Sequence, residues 1–289
     1  MSKNKLQPIR DQIDAIDLKL LRLIQKRGVL AQKVGEIKGL FENNSSLYRP
    51  DREAEILRNL IKLNDGVISD QKIRFIFKEI ISACLSLEEQ LTVAYLGPPG
   101  THSEAALVKH FGSSVSEDPR PTIEDVFDQV SSGAANFGLV PMENSSEGVV
   151  NATLNCLADQ NIKICGETYL AIHHQLASGK KFKLADAKVV ASHPQALGQC
   201  SKWLDANLPH VERRLTSSTA EAAQLVSQEK YSLCIVSSLA LSRYNLYQHH
   251  HNIEDFSSNK TRFLIIGNTD VQPTSIDKTS FLIQTANKP

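Results

Sequence analysis

Two cations in the amino-terminal third of the chain, Arg27 and Lys38, are spaced to share one face of a helix. Eleven residues at 100° each return to within about 20° of the same direction, about 16 Å further along the axis. Ala31 and Val34 lie between them, on the face that packs. The two cations therefore either reach from the edge of an apolar stripe into water, or point into a cavity that binds an anion.

A third cation, Arg10, precedes Arg27 by seventeen residues. In a continuous helix this places it about 25 Å away and about 100° around the axis. That distance is too large for both side chains to serve one small-molecule site in the same chain. If Arg10 contributes to such a site, it contributes to the site of a second copy.

Three further ionisable side chains in this region stand at element ends. Arg52 and Glu53 open a second predicted helix, and Glu88 continues the apolar stripe of a third helix four residues after Cys84. A carboxyl group at the end of an apolar stripe is either a solvated helix end or a group held near a ligand. Both interpretations of Glu88 remain open at this stage.

After residue 91, hydroxyl, amide and carboxylate groups gather beside short apolar runs. The motifs GTHS, ENSSEG, SHPQ and SSTAE follow an apolar run or open a helix, whereas NKTRF precedes its strand. Ligands of α/β sheets bind at the carboxyl ends of strands, so we expect the first four motifs to meet at one site. Thr261 and Arg262 then reach this site from another direction.

The spacing of apolar residues predicts the elements that position these groups. Up to residue 91, intervals of three and four predict one helix of about 35 residues and two shorter ones. Three such helices leave much of the long one exposed, so we expect a second copy to cover it. From Leu91 onward, short apolar runs alternate with helical stretches, which predicts a mainly parallel α/β sheet.

Composition limits the partners. The chain of 289 residues has 32 basic and 32 acidic residues, so no strong field would draw it to nucleic acid or to an anionic membrane. We expect a cytoplasmic protein, because no stretch approaches the roughly 20 apolar residues of a membrane helix and the amino terminus lacks a signal-peptide core. The five cysteines form no CxxC pair, and His249 to His251 lack matching ligands; we expect reduced thiols, a solvated histidine loop and no metal.

The segments IRDQIDAIDLKLLRLIQKRGVLAQKVGEIK, YRPDREAEILRNL and IFKEIISACLSLEEQ resemble the three helices of the all-helical chorismate mutases. The resemblance implies that residues 1–91 form a homodimer with swapped helices. It also implies that the partner subunit's Arg10 and this chain's Arg27 bind the two carboxylates of chorismate.

The same resemblance implies the remaining roles. Lys38 and Glu88 would donate hydrogen bonds to the ether oxygen of chorismate, and Arg52 and Glu53 would hold the second helix and the substrate hydroxyl. Cys84, an implied substrate-binding residue, stands where some members carry serine, and Glu88 stands where some carry glutamine. The rearrangement is unimolecular, so it needs positioned donors but no nucleophile or cofactor.

A second resemblance covers residues 92–270. The motifs VAYLGPPGTHSEAA, GLVPMENSSEGVVNATLN, ICGETYLAIHHQL, ASHPQALGQCSKWL, SSTAEAA and NKTRF follow the order seen in prephenate dehydratases. The resemblance implies a two-lobed α/β fold similar to periplasmic binding proteins, with the chain crossing between lobes near residues 168–176 and 253–260. It implies conversion of prephenate to phenylpyruvate.

In that reaction the ring becomes aromatic as carbon dioxide and the hydroxyl leave. By resemblance, Thr261 donates a hydrogen bond or relays a proton to the leaving hydroxyl, and Arg262 pairs with a carboxylate. Either Glu143 or an ordered water completes the relay. Glu167, His173 and His193 are interpreted as structural support, and His102 stands where the family often has an aromatic residue. The other implied substrate-binding residues are Ser103, Asn144, Ser145, Ser146, Ser217, Ser218 and Thr219.

The segment DKTSFLIQTANKP, within residues 271–289, resembles the first strand of an ACT domain. Without the rest of that domain we expect no phenylalanine site. Two alternatives to a bifunctional enzyme stay open. The α/β part is a sensor of small molecules that has lost catalysis, or the helical part serves only for dimerisation.

Overall fold

The computed structural model describes residues 3–41, 48–274, 276–281 and 283. The chain divides into two compact units. The helical unit comprises Met1–Leu91, Phe111–Ser116 and Val271–Asp277. The α/β unit comprises Thr92–His110, Glu117–Asp270 and Lys278–Pro289. Two short segments from beyond residue 91 therefore join the helical unit, which a single boundary at that residue does not include.

The helical unit contains three helices: α1 (Lys3–Phe41), α2 (Pro50–Lys62) and α3 (Asp70–Leu85). Pro50 occupies the first position of α2, where its missing N–H leaves no intrahelical bond unmade. Asp70 is the first helical residue of α3, and Ser69 before it has the extended backbone of a cap position. Glu88 lies three residues beyond the end of α3, in a turn, rather than on the helix.

The first half of α1 carries a stripe of apolar side chains that the helical unit leaves uncovered. Each of the following is between 38 and 62% exposed: Leu6, Ile9, Ile13, Ile16, Leu20, Leu23 and Ile24. The second half is nearer to the rest of the unit, where Gly28 and Gly35 are partly or fully buried. Apolar side chains are nevertheless exposed in the second half too, where Val29, Leu30, Val34 and Ile37 are between 45 and 57% exposed. Much of the long helix is therefore uncovered, as the sequence predicts for three helices without a second copy.

The α/β unit has helices between most of its strands. The strands are β1 (Thr92–Leu96), β2 (Ser116–Arg120), β3 (Phe137–Asn144), β4 (Gly148–Val149), β5 (Lys163–Ala171), β6 (Gln175–Ser178), β7 (Val189–Ser192), β8 (Glu212–Leu215), β9 (Ser232–Val236), β10 (Tyr247–His250) and β11 (Lys260–Gly267). The helices are α4 (His102–Phe111), α5 (Ile123–Ser131), α6 (Asn151–Asp159), α7 (Pro194–Gln199), α8 (Ser201–Asn207), α9 (Thr219–Gln228) and α10 (Ser238–Arg243).

Two sheets define two lobes. The first lobe has the strand order β2-β1-β3-β11-β5, with β4 on β3, and the second has β10-β6-β9-β7-β8. The chain crosses between β5 and β6 and returns between β10 and β11. The prediction of a mainly parallel sheet is wrong in part, because β11 runs antiparallel to both β3 and β5 and β6 runs antiparallel to β9. The reason is that β11 enters the first sheet from the other lobe, without a crossover helix.

Each lobe has its own apolar core. In the first lobe, α5 buries Ile123, Val126, Phe127 and Val130, the three-and-four spacing of a helix that packs on a sheet. The cap of α5 is Thr122, whose hydroxyl accepts the backbone N–H of Asp125 at 3.0 Å. In the second lobe, every residue of β9 is buried, as expected for a strand covered on both faces.

Several smaller expectations can be compared with the structure. All five cysteines are buried free thiols. His249 and His250 belong to the edge strand β10, so the loop prediction is wrong for these two residues; a Tyr–Gln–His–His strand pairs with β6 through backbone bonds. The described residues contain no helix apolar and long enough to cross a membrane. In the segment DKTSFLIQTANKP, for which a first ACT-domain strand is predicted, residues 282 and 284–289 lie outside the described part of the chain.

Candidate active sites

The first cavity lies within the helical unit and has a volume of about 410 Å³. It contains both cations singled out by their helical spacing. Its lining residues are Arg27, Leu30, Ala31, Val34, Lys38, Tyr48, Arg49, Arg52, Glu53, Ile56, Ile81, Cys84, Leu85 and Glu88. An apolar wall with cations at both ends suits a small anion that carries a ring.

Glycine brings the last carboxyl group of this set close to α1. A side chain at Gly35 would place its Cβ 3.2 Å from the Cβ of Glu88 and 3.4 Å from its Cα. About two turns earlier on α1, a Cβ at Gly28 would lie 3.2 Å from Leu87 Cδ1. The absence of side chains at these two positions lets the turn after α3 lie directly on α1. Glu88 is thereby held beside the cavity, although it has left the helix.

The charge state of Glu88 is set by opposing effects. Burial raises the pKa of the Glu88 carboxyl, and the positive charges of Lys38 and Arg27 lower it in part. The net direction is upward. A raised pKa extends the neutral, hydrogen-bond-donating form toward higher pH than in a solvated glutamate.

Glu53 and Arg52 differ although they are adjacent. Glu53 is 9% exposed, and its carboxylate lies 3.5 Å from the Lys78 ammonium, which ties α2 to α3. Burial raises the pKa of Glu53, whereas Lys78 and a hydrogen bond from Tyr48 lower it. Arg52 pairs with Glu55 at 2.5 Å on the outer side of α2. Arg52 also lines the cavity, but its side chain is 62% exposed.

Arg10 does not line the cavity of its own chain. It is exposed and lies on the first half of α1, seventeen residues before Arg27. This agrees with the distance argument from the helical repeat.

The second cavity lies in the α/β unit and has a volume of about 650 Å³. Both lobes and their connections contribute to it. Its lining residues are Leu96, Gly97, Thr101, His102, Ser103, Pro141, Asn144, Glu147, Gly148, Val149, Val150, Ile172, His174, His193, Pro194, Gln195, Ala196, Gln199, Ser217, Ser218, Thr219 and Thr261. Within the described part of the chain, this lining contains no lysine and no arginine.

Thr261 is a buried hydroxyl with a defined orientation. Its Oγ1 accepts a hydrogen bond from Asn144 Nδ2 at 2.7 Å. The amide of Asn144 cannot be turned around, because its Oδ1 accepts the backbone N–H groups of Ser146 and Glu147 at 2.9 and 3.2 Å. With one lone pair already engaged, the hydroxyl hydrogen of Thr261 is available to a ligand. The geometry therefore makes Thr261 a donor.

Helix starts supply further polar groups. Ser103 is buried in the first turn of α4, where backbone N–H groups have no intrahelical acceptor. Ser218 caps α9, since its hydroxyl accepts the N–H of Glu221 at 3.0 Å. Both the N–H and the hydroxyl of Ser217 donate to Glu221 Oε2 at 2.6 Å. Thr219 lines the cavity, while the donors of Ser217 are committed to the cap.

Four predicted substrate-binding residues do not line the second cavity: Glu143, Ser145, Ser146 and Arg262. Arg262 and Glu143 face each other in the register of β11 and β3, one position from Thr261 and Asn144. Because side chains alternate along a strand, they point to the opposite face of the sheet. There Arg262 pairs with Glu167 at 2.8 Å, and Lys278 also pairs with Glu167. The motif NKTRF identifies Arg262 as a candidate, but it does not show on which face of the sheet the side chain lies.

The hydroxyl of Ser145 joins β3 to the start of β11. It donates to Asn259 Oδ1 at 3.1 Å and accepts the N–H of Lys260 at 2.9 Å. Ser146 is in an intermediate position: it does not line the cavity, but its hydroxyl donates to Asn144 Oδ1 at 2.6 Å. Both serines hold the residues around Thr261 in place.

The structure adds lining residues that the sequence did not single out. Tyr48 and Arg49 line the first cavity, and His174 and Gln199 line the second. All four lie inside or beside the motifs quoted above, LYRPDRE, IHHQL and SHPQALGQC. A signal was therefore present, but no spacing rule separates these positions from their neighbours.

Comparison with known proteins divides the chain into the same two parts. A family model described as prephenate dehydratase matches residues 93–271, and one described as chorismate mutase type II matches residues 9–89. The bifunctional chorismate mutase/prephenate dehydratase of Pseudomonas aeruginosa is 46% identical over 290 residues, covering 99% of this chain and 80% of that protein. The protein of the same description from Aquifex aeolicus is 39% identical, covering 99% and 79%.

Among solved structures, the prephenate dehydratase from Arthrobacter aurescens in complex with L-Phe has a TM-score of 0.60 and 30% identity to this chain. The similarity covers 65% of this chain and 63% of the Arthrobacter protein.

Proposed function

This chain belongs to the family of bifunctional chorismate mutase/prephenate dehydratases, and on that premise we propose that its two cavities are the two active sites. The protein rearranges chorismate to prephenate and then decarboxylates and dehydrates prephenate to phenylpyruvate, in phenylalanine biosynthesis. The observation that carries the assignment is the segregation of side chains. Arg27, Lys38 and Glu88 line the first cavity, and Thr261 lines the second.

In the first cavity the reaction is the rearrangement of chorismate. The carbon–oxygen bond of the ether breaks as a carbon–carbon bond forms, so negative charge develops on the ether oxygen. Donors fixed beside that oxygen stabilise the transition state more than the ground state. Lys38 and protonated Glu88 are proposed as these donors, Arg27 as a carboxylate ligand, and Arg52 and Glu53 as contacts to the hydroxyl side. Cys84 is proposed to form part of the cavity wall that contacts the substrate.

The pH dependence of the mutase reaction follows from Glu88. Its raised pKa keeps the donor form present up to that pKa, and the donor is lost as the pH rises through it. We expect wild-type mutase kcat/KM to fall about tenfold per pH unit above the pKa of Glu88. Glu88→Gln retains a donor that does not titrate, so its profile should be flat over the same range. Mutase rates from pH 5 to 9 measure this.

The neighbouring Glu89 offers a matched control, because it does not line the cavity. Glu89→Gln should reproduce the wild-type profile. Equal pH profiles for Glu88→Gln and wild type would show that Glu88 is not the titrating donor.

We propose that the first half of α1 pairs with a second copy in a homodimer with swapped helices. Seven apolar side chains of this half are between 38 and 62% exposed, which is more than a stable monomer ordinarily leaves in one stripe. Arg10 lies on the same half, so the partner subunit's Arg10 would complete the first cavity. Its guanidinium would then bind the second carboxylate of chorismate.

Mixing two inactive variants tests this arrangement. In a dimer of Arg10→Ala with Lys38→Ala, one site has both substitutions and the other has neither. Mixed and refolded subunits should therefore recover about a quarter of the wild-type mutase rate, since half the dimers are mixed and each has one intact site. Mutase assays before and after mixing, with size-exclusion chromatography, measure the recovery.

Arg22→Ala serves as the control for an exposed arginine on α1 that does not line the cavity. It should retain the wild-type rate alone. If Arg10 acts only within its own chain, or only in folding, the mixture will stay as inactive as its two components.

In the second cavity, we propose that Thr261 donates a hydrogen bond to the leaving hydroxyl of prephenate and stabilises the charge that develops on its oxygen. Asn144 supports this role by donating to one of the two lone pairs of Thr261 Oγ1, which leaves the hydroxyl hydrogen for a ligand. The two carboxylates would be held by hydroxyls and by helix N–H groups, because the described lining has neither lysine nor arginine. Ser103, Ser218 and Thr219 stand at those helix starts.

The proposed roles of the remaining polar residues are indirect. Arg262 and Glu143 would stabilise the face of the sheet opposite Thr261, with Ser145 and Ser146 fixing the loop after β3. Ser217 would hold the start of α9 through Glu221. Neither reaction needs a cofactor. Five buried free thiols support a location in a reducing compartment, for which we propose the cytoplasm.

A further inference from the structure

Two histidine rings, His102 and His174, meet edge to face in the wall of the second cavity. Their centroids are 5.5 Å apart and their planes are inclined at 73°. Nε2 of His102 and Nδ1 of His174 are buried, and neither has a hydrogen-bond partner among the described residues. His174 is only 2% exposed. Buried polar atoms nearly always have a hydrogen-bond partner. We therefore expect a bound ligand to supply the partner of each of these two nitrogens.

The hydrogen-bond network determines which form of the His174 ring is present. Ser146 Oγ gives its hydrogen to Asn144 Oδ1 at 2.6 Å, so it can only accept from its other neighbour. That neighbour is Gln199 Nε2, at 3.2 Å. The amide of Gln199 therefore presents its oxygen to His174 Nε2, at 2.9 Å, and an amide oxygen only accepts. The hydrogen of the neutral His174 ring lies on Nε2, and Nδ1 is a bare acceptor.

A second donor confirms the orientation of Gln199. Asn259 Nδ2 donates to the same Gln199 oxygen at 3.2 Å. The backbone of His174 is also fixed, since its N–H donates to Glu254 Oε2 at 3.0 Å and its carbonyl accepts the N–H of Ile253 at 3.0 Å. The lone pair of His174 Nδ1 thus has a fixed position in the cavity wall.

Both rings are neutral near pH 7. Burial, together with the adjacent His174 and His173, lowers the pKa of His102 to about 3, although the charge of Glu254 opposes this. Burial also lowers the pKa of His174, although the hydrogen bond with Gln199 and the charge of Glu254 oppose this. Neutral rings are poor ligands for a carboxylate, and a bare lone pair repels one.

We propose that His174 Nδ1 accepts the hydrogen of the substrate hydroxyl, with His102 Nε2 beside it, and that this pair recognises the group that leaves. Prephenate offers two carboxylates, which only accept, and one hydroxyl, which is its only donor at neutral pH. Because His174 Nδ1 can only accept a hydrogen bond, it selects the hydroxyl over the two carboxylates. This inference rests on the dehydratase function proposed for the second cavity and deepens it.

The arrangement links recognition to the chemical step. Thr261, Asn144, Ser146, Gln199 and His174 form one unbroken chain of hydrogen bonds, so the donor Thr261 and the acceptor His174 are fixed by the same network. A hydroxyl whose hydrogen is held by His174 directs its lone pairs elsewhere. One of them can accept from Thr261 as the carbon–oxygen bond breaks.

Two substitutions of His174 separate contact with substrate from support of Gln199. His174→Gln keeps a donor near the position of Nε2 and removes the acceptor at Nδ1. His174→Asn keeps an oxygen near the position of Nδ1 and removes the donor to Gln199. We expect kcat/KM for prephenate to fall about 30-fold in His174→Gln and about fivefold in His174→Asn. The reverse order would assign His174 to support of Gln199 and overturn the proposal.

A pair of unreactive inhibitors measures the contact directly. The two are dicarboxylate analogues of prephenate, one with and one without the hydroxyl, assayed as competitive inhibitors of the dehydratase. Wild type should prefer the hydroxyl analogue about 30-fold, and His174→Gln should bind both about equally. Equal preference in both proteins excludes the contact. His102→Phe, which keeps the ring packing, should reduce the preference severalfold, and an unchanged preference removes His102 from the proposal.

Circular dichroism and thermal unfolding of each variant report folding of the α/β unit, to which His174 and His102 belong, and mutase activity reports that the helical unit is intact. Thr261→Val distinguishes failure of this inference from failure of the assigned function. Full prephenate turnover in Thr261→Val would overturn the donor role of Thr261, on which the function proposed for the second cavity depends. Loss of turnover there, with an unchanged inhibitor preference in His174→Gln, would overturn only the role of His174.

Discussion

Replacing Thr261 by valine is expected to lower kcat for prephenate about 10³-fold and to leave the mutase rate within about twofold of wild type. Valine has nearly the shape of threonine, and the residue is only 8% exposed, so the packing around β11 is preserved. What disappears is the one hydroxyl whose hydrogen is directed to a ligand by Asn144. Absorbance of phenylpyruvate in alkali gives the dehydratase rate, and loss of chorismate gives the mutase rate.

The size of this effect follows from the reaction. Aromatisation drives the loss of carbon dioxide, and the barrier lies in the departure of hydroxide, a poor leaving group. A donor positioned on that oxygen contributes about 10² to 10⁴ in rate. Thr261→Ser, which retains the hydroxyl, should keep at least a tenth of wild-type kcat. Wild-type turnover in Thr261→Val, or equal losses in the serine and valine variants, would exclude the donor role.

Replacing Lys38 by methionine is expected to lower mutase kcat/KM about 10³-fold while prephenate turnover stays within about twofold. Methionine fills much of the same volume against the apolar wall of the first cavity but has no donor and no charge. Of the two proposed donors to the ether oxygen, only the uncharged Glu88 then remains. The chorismate assay that follows both products in one reaction measures both rates.

Two control variants test whether the loss of mutase activity in Lys38→Met depends on the position of the lysine and on its charge. Lys33→Met removes a cation from α1 that is exposed and does not line the cavity, and it should leave the rate unchanged. Lys38→Arg keeps the charge and should retain more activity than the methionine variant. A dimeric Lys38→Met protein with the full mutase rate would instead support a helical unit that serves only for dimerisation.

The periodicity of the sequence was sufficient for the helical unit. Intervals of three and four placed α1, α2 and α3, because burial of one face imposes the helical repeat on the apolar residues. The same repeat separated Arg10 from Arg27 and put Arg27 and Lys38 on one face, and both cations line the first cavity. These relations depend only on the fixed geometry of one helix.

The turn that carries Glu88 was not determined in this way. Its place beside α1 depends on Gly35, where a Cβ would lie 3.2 Å from Glu88 Cβ. The spacing of apolar residues in one segment does not reveal which distant segment will pack closely against it.

In the α/β unit, the sequence by itself identified the motifs that surround the second cavity and placed Thr261 among them. Only the tertiary structure decided that β11 runs antiparallel between β3 and β5, which turns Thr261 and Arg262 to opposite faces of the sheet. It likewise decided that Gln199 meets His174 across 25 residues of chain and fixes its tautomer. The reason is physical: a local sequence sets the alternation of a strand, whereas partners from distant segments set which face meets the ligand and which atoms carry hydrogen.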